Sequence, residues 1–225
     1  MNERSDVHGR GVPLALQLLV LLLAAAGLYA NSLAVPFLFD DPVPAQPLDY
    51  ATRPLVWASF DLNRAWSGAA TWSYHVVNLA LHAACAVLLL LVLRRALALA
   101  WPAAGPRASA ALAFATALLW TCHPLQTGAV TYLSQRAESL AALFALATLL
   151  GFFLLVARER VALGWTLCVL GTVLGFLTKE TAATVPVVLL LFERTLVRAG
   201  PGPTWRARGR LHLVLALLAA LLALR

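Results

Sequence analysis

YHVVNLALHAACAVLLLLVL, residues 74–93, runs for twenty residues without a formal charge and is followed by Arg94-Arg95. An α-helix rising 1.5 Å per residue needs about 20 predominantly apolar residues to cross a hydrocarbon layer roughly 30 Å thick, so this stretch reads as a transmembrane helix. The uncharged region around it reaches back to Ala65, and two others, Gly11–Phe39 and Ala108–Gln135, are long enough to do the same. Composition agrees: the 225 residues are 61% hydrophobic and only 12% charged, where soluble domains carry about 25% charged residues. A soluble single-core domain is excluded. The chain reads as an all-α, polytopic membrane protein with six to seven transmembrane helices.

Before this span, residues 13–30 follow Arg4 and Arg10 and exceed the usual length of a signal-peptide core, so they read as a retained signal anchor. Residues 31–73 form a loop with Asp40, Asp41, Asp49 and Asp61 and several prolines, a composition that suits water and resists helix. Beyond Arg94-Arg95, spans are expected at about 108–121 and 137–157. A helical hairpin follows, with arms at 161–178 and 182–196 joined at Lys179-Glu180, and Pro186 is placed to break its second arm. The expected organisation is a cytoplasmic N-terminus at 1–12, a transmembrane module at 13–197, a basic cytoplasmic loop at 198–210 and an incomplete seventh span at 211–225. The module reads as the front part of a larger one.

The formal charge of +7 is read by side of the membrane. With the N-terminus inside, twelve arginines fall in the cytoplasm and only Arg53, Arg64, Arg136 and Lys179 outside, as the positive-inside rule asks. The basic stretch 194–210 then sets topology and touches anionic lipid. Nucleic acid is excluded as a partner because no reading element accompanies the charge. Cys85, Cys122 and Cys168 have neither a paired spacing nor a zinc-ligand pattern, and no N-x-S/T sequon is present. The same orientation gathers Asp40, Asp41, His123, Arg136, Glu138, Lys179 and Glu180 on the extracytoplasmic face.

Asp40 and Asp41 follow Phe37-Leu38-Phe39 directly at the membrane surface. An apolar setting and a like-charge neighbour raise a carboxylate pKa, which suits a general base, while a solvated acidic pair opening a turn is the plainer reading. His75, Asn78 and His82 share one helix face, the histidines about 10 Å apart along the axis. Such a stripe makes interhelical hydrogen bonds or, less simply, ligates a metal. Arg136 and Lys179 lie where cations are scarce: each either holds a phosphate or pairs with its neighbouring Glu138 or Glu180. His123-Pro124 ends a helix in the plain reading.

Several strings taken together resemble the GT-C membrane glycosyltransferases, specifically the transmembrane and tetratricopeptide-repeat O-mannosyltransferase type and its bacterial relatives. They are Tyr29-Ala30-Asn31-Ser32 leading to Phe37-Leu38-Phe39-Asp40-Asp41; Arg53-Pro54-Leu55; Tyr74-His75-Val76-Val77-Asn78-Leu79-Ala80-Leu81-His82; His123-Pro124-Leu125-Gln126-Thr127 through Ala129-Val130 to Arg136-Ala137-Glu138; and Thr178-Lys179-Glu180-Thr181. The resemblance implies transfer of a sugar, with inversion, from a polyprenyl-phosphate carrier to a hydroxyl of a protein or glycan acceptor. It makes Asp40 or Asp41 the base; on the electrostatic reading of the residues themselves, Arg136 and Lys179, with Arg53 and His123, are the candidates for holding the departing phosphate. Glu138 and Glu180 support them. No cofactor is required by the motifs, and a divalent metal is left open. Gly128 stands where the family pattern has an acid. The membrane expected is a bacterial inner membrane, or the endoplasmic reticulum in a eukaryote. The alternatives are a non-catalytic scaffold or remnant of that family, and a transporter.

Overall fold

A computed structural model describes residues 11–41, 51–197 and 205–223. The N-terminal stretch with Arg4 and Arg10, the proline-rich stretch with Asp49 and the sequence Gly200-Pro201-Gly202-Pro203 lie outside them. The described residues form helices α1 (Leu14–Tyr29), α2 (Pro54–Ser67), α3 (Trp72–Ala100), α4 (Gly105–Thr121), α5 (Gln126–Thr131), α6 (Arg136–Val156), α7 (Val161–Phe176), α8 (Val185–Phe192) and α9 (Trp205–Ala223). Short 3-10 turns join several of them, and no strand occurs among the described residues. Three helical stretches, Leu14–Ala34, Trp72–Ala100 and Leu133–Val156, are long and apolar enough to cross a membrane, and Val161–Phe176 is a shorter apolar helix. The chain is an all-α membrane protein.

The helix at the centre of the sequence is longer than its hydropathy implies. α3 passes through Arg94-Arg95, because arginine is a good helix former, and ends at Ala100, since Pro102 disfavours helical conformation at the preceding Trp101. The polar first loop contains an unexpected helix, α2. Pro54 occupies its first turn, where a missing N–H costs nothing, and Val56, Phe60 and Asn63 fall on one buried face. Pro186 likewise lies in the first turn of α8 and starts that helix instead of breaking it. The basic stretch is partly helical: α9 begins at Trp205, and Arg208 Nε donates to the buried Glu193 at 2.7 Å.

Close approach of α6 and α7 depends on glycine. A Cβ on Gly151 would sit 2.7 Å from the carbonyl oxygen of Gly164, and one on Gly164 would sit 3.1 Å from that of Gly151. Between membrane helices the hydrophobic drive is weak, so small residues that admit tight backbone contact hold the pair. One core cluster joins Phe152, Phe153 and Cys168 to Leu189, Leu211 and Leu215. A second, made of Val56, Phe60, Tyr74, Leu133, Ala137 and Leu140, lies at the other end of α6 and seats α2 on α3 and α6.

Candidate functional site

A recess of about 340 Å³ opens above the second cluster, lined by Asp40, Arg53, Trp57, Phe60, Tyr132 and Glu138 among others. Its shape begins with a turn at Leu38–Asp41. Phe39 takes a left-handed conformation, φ 45°, which an L-residue adopts only under strain, and strain of this kind gathers at functional sites. The Asp41 N–H donates to the Leu38 carbonyl at 2.9 Å. In return the Leu38 N–H donates to Asp41 Oδ2 at 2.9 Å.

The two aspartates therefore differ. Asp41 is 2% exposed, and its Oδ1 accepts the Ser134 N–H at 2.8 Å and the Ser134 hydroxyl at 3.2 Å. It clamps the first loop to the turn before α6. Asp40 is exposed and faces the recess; among the described residues its carboxylate accepts only the Tyr132 hydroxyl, at 3.4 Å. The Ser134 hydroxyl also donates to the Asp40 carbonyl at 2.7 Å, so the backbone is fixed while the carboxylate stays open.

Arg136 has no exposed surface. Its Nε donates to Asn78 Oδ1 at 2.8 Å, Nη1 to Asn63 Oδ1 at 2.7 Å and to the Ser59 carbonyl at 3.2 Å, and Nη2 to the Tyr74 carbonyl at 3.0 Å. The guanidinium lies 4.1 Å from the centroid of the Phe60 ring. This corrects both sequence readings of Arg136. It does not pair with Glu138, and with its donors turned to protein acceptors behind the recess wall it has no surface to offer a phosphate.

Lys179 and Glu180 also exchange the expected partners. Lys179 pairs with Glu138 across α6, and Arg53 lies 3.8 Å from Glu180. Neighbouring residues on a helix turn point apart, so the ion pairs form between elements. Both pairs are partly open to solvent, with Lys179 19% and Arg53 40% exposed along the side chain. The backbone joins the same elements where the Leu55 N–H donates to the Leu177 carbonyl at 3.2 Å.

The polar stripe on α3 stays on one face but serves three neighbours. His75 Nε2 donates to the Val35 carbonyl at 2.9 Å, Asn78 accepts from Arg136, and His82 Nε2 donates to the Thr121 carbonyl at 3.1 Å. His82 also stacks on Trp120, ring centroids 4.9 Å apart. The bonds to Arg136 and Thr121 join helices, and the one to Val35 ties α3 to the segment that follows α1. His123 is exposed and outside the recess; its Nδ1 accepts the Leu125 N–H at 3.3 Å, which closes the turn before α5. Gly128 is exposed, with open space where a Cβ would stand.

No cluster of three or more His, Cys, Asp or Glu side chains that could hold a metal occurs among the described residues. The three cysteines are free, Cys85 and Cys168 buried and Cys122 exposed. Sequence reasoning missed most of the recess wall, Trp57, Phe60 and Tyr132 among it. Trp57 Nε1 is buried without a hydrogen-bond partner among the described residues. The Pro54 start of α2 and its i, i+4, i+7 buried face were the signal that would have placed Trp57.

Over 149 residues the chain is 34% identical to the protein O-mannosyl-transferase Tmtc2 of Drosophila melanogaster, covering 63% of this chain and 15% of that protein. It is 31% identical over 198 residues to TMTC3 of Mus musculus, covering 75% of this chain and 20% of that protein. Over 104 residues it is 38% identical to TMTC2 of Mus musculus, covering 44% and 10% respectively. The chain thus spans a fifth or less of the length of these curated relatives. No family model and no solved structure matches it. The motif resemblance holds at this level: the chain is similar in sequence to the TMTC protein O-mannosyl-transferases.

Proposed function

From this similarity we propose that the chain forms part of a GT-C-type membrane glycosyltransferase. It would transfer a sugar from a polyprenyl-phosphate carrier to a hydroxyl of a protein or glycan acceptor at the extracytoplasmic face, with inversion. Six or seven of the helices pass through the bilayer in this reading, with the N-terminus inside and the recess outside, as the distribution of arginines requires. The observation that carries the reading is the open carboxylate of Asp40 in a recess it shares with Arg53 and Trp57.

Asp40 takes the proton of the acceptor hydroxyl. The oxygen attacks the anomeric carbon as the bond to the carrier phosphate breaks, and the phosphate leaves with the electron pair. Arg53 faces the recess and its Glu180 partner is mostly exposed and loosely held, so its guanidinium can turn to an anion. Lys179, held at the rim by Glu138, adds a second positive charge where negative charge develops. The faces of Trp57 and Tyr132 suit the apolar side of a sugar ring. The unpartnered indole N–H offers a hydrogen bond that a sugar hydroxyl would complete.

Membranes containing the protein, supplied with a radiolabelled polyprenyl-phosphate mannose and an acceptor peptide, test this. General-base catalysis is worth typically about 10²–10⁴-fold, so Asp40→Asn lowers turnover by that order with the protein still folded. Unchanged turnover in Asp40→Asn removes the base from the scheme and the mechanism with it.

A further inference from the structure

The end of the bundle opposite Asp40 holds a second, larger groove. Arg94 lies about 24 Å along α3 from Asn78, where α3 ends beside the starts of α1 and α4. The groove there has a volume of about 630 Å³ and is lined by Gln17, Arg94, Arg107, Ala110, Ala111 and Phe114 among others. Among the described residues no carboxylate lines it.

Its two arginines differ from their neighbour. Arg95 donates to Glu159 at 3.0 Å and is paired. Arg94, one residue earlier and on another face of the helix, is half-buried and donates to a neutral atom, Gln17 Oε1, at 3.1 Å. Gln17 is itself 2% exposed, and its amide nitrogen is fixed to the Val12 carbonyl at 3.3 Å, so it aims the guanidinium without neutralising it. Arg107 crosses Gly11 so closely that a Cβ there would lie 3.4 Å from its Cγ, and no carboxylate pairs with it among the described residues. A partly desolvated guanidinium without a counter-charge is stabilised by an incoming anion, and two guanidinium groups match a phosphate in geometry.

Beneath the charges the wall is small and apolar, formed by Ala110, Ala111 and Phe114. A free phosphate would leave that wall uncovered, whereas a phosphate carrying an acyl-linked glycerol would cover both parts. We propose that this groove is a binding site for an anionic phospholipid, with Arg94 and Arg107 on its phosphate and an acyl chain along α4. A site of this kind fixes the end of α1 against α3 and α4 and makes the bundle sensitive to the charge of the leaflet at that end.

Native mass spectrometry of the purified full chain, equilibrated with mixed micelles of palmitoyl-oleoyl phosphatidylglycerol and phosphatidylcholine, tests the proposal. The wild-type protein is expected to retain one phosphatidylglycerol under activation that strips phosphatidylcholine. Arg94→Gln/Arg107→Gln loses that retention at least tenfold, and Ala111→Phe, which fills the apolar wall and keeps both charges, loses it too. Circular dichroism checks that each variant is helical; should the double variant not fold, Ala111→Phe alone decides. Equal retention of the two lipids, or retention unchanged in Ala111→Phe, overturns the proposal. Loss in the charge variant alone, or displacement of the lipid by millimolar inorganic phosphate, also overturns it, in favour of a bare anion site.

Discussion

Two polar regions meet at the Asp40 end of the bundle, and only one of them is open. Behind the wall, Arg136 is fully buried and hydrogen-bonded to Asn63, Asn78, Ser59 and Tyr74. In front of it, Asp40 and Glu138 are exposed, Arg53 is loosely paired with Glu180, and Lys179 is paired with Glu138. Charge at this end of the bundle therefore does not identify chemistry; what matters is whether each charge is already engaged. Arg136 joins α2, α3 and α6 without a carboxylate, through neutral acceptors and the face of Phe60. A guanidinium suits this role because its planar fork reaches several acceptors in fixed directions.

The largest expected effect breaks the closed region. Arg136→Ala leaves the side-chain oxygens of Asn63 and Asn78 without their donor. With hydrogen bonds to charged groups worth about 1.5–3 kcal/mol each, several lost together cost about 4 kcal/mol or more. Loss of monodisperse protein in detergent chromatography is the expected outcome. Arg136→Lys keeps the charge but not the fork and recovers only part of the stability. An Arg136→Ala protein that melts with the wild type would mean that α2 is held by its apolar face alone.

The next comparison separates the two aspartates. Asp41→Ala removes the acceptor for two backbone N–H groups and a hydroxyl, so about 1–3 kcal/mol of stability is lost. Asp40→Ala removes one long contact to Tyr132 and shifts stability by under about 0.5 kcal/mol, within the range of surface substitutions. Thermal melts of both variants, followed by circular dichroism, give the difference. Equal melting temperatures would place the clamp elsewhere, and a larger loss in Asp40→Ala would reverse the assignment.

The spans were legible in the sequence because their signal is local. About twenty predominantly apolar residues are enough to make a membrane helix, and α1, α3 and α6 fall where hydropathy put them to within a few residues, apart from the extension of α3 past Arg94-Arg95; the uncharged stretch Ala108–Gln135 instead breaks after Thr121 into α4 and α5. α2 was hidden by Asp61, Asn63 and Arg64, which make its sequence look like a solvated loop, although its buried face repeats at helical spacing. The neighbourhood of the aspartates was legible as a place, but not the division between them. That division is set by Ser134, 93 residues after Asp41. Arg136 was misread for a local reason. Glu138, two residues away on the same helix, points elsewhere, and the acceptors that hold Arg136 come from α2 and α3.

The smallest effect sharpens the open region. Lys179 and Glu138 are both partly solvated, and exposed ion pairs contribute about 0–1 kcal/mol. Lys179→Ala should therefore melt within a degree or two of the wild type, in contrast to Arg136→Ala. Its effect belongs instead in the donor: without that positive charge at the rim, the KM for a phosphate-linked sugar rises while the folded fraction stays constant. Glu138→Gln separates a charge effect from a packing effect. It keeps the shape of the side chain and frees the Lys179 ammonium, so the KM for the anionic donor should fall or hold while that of Lys179→Ala climbs. Parallel changes in the two variants would mean that the pair acts as a structural tie between α6 and the α7–α8 turn. Lys179 would then join Arg136 among the engaged charges, leaving Arg53 as the cation of the recess.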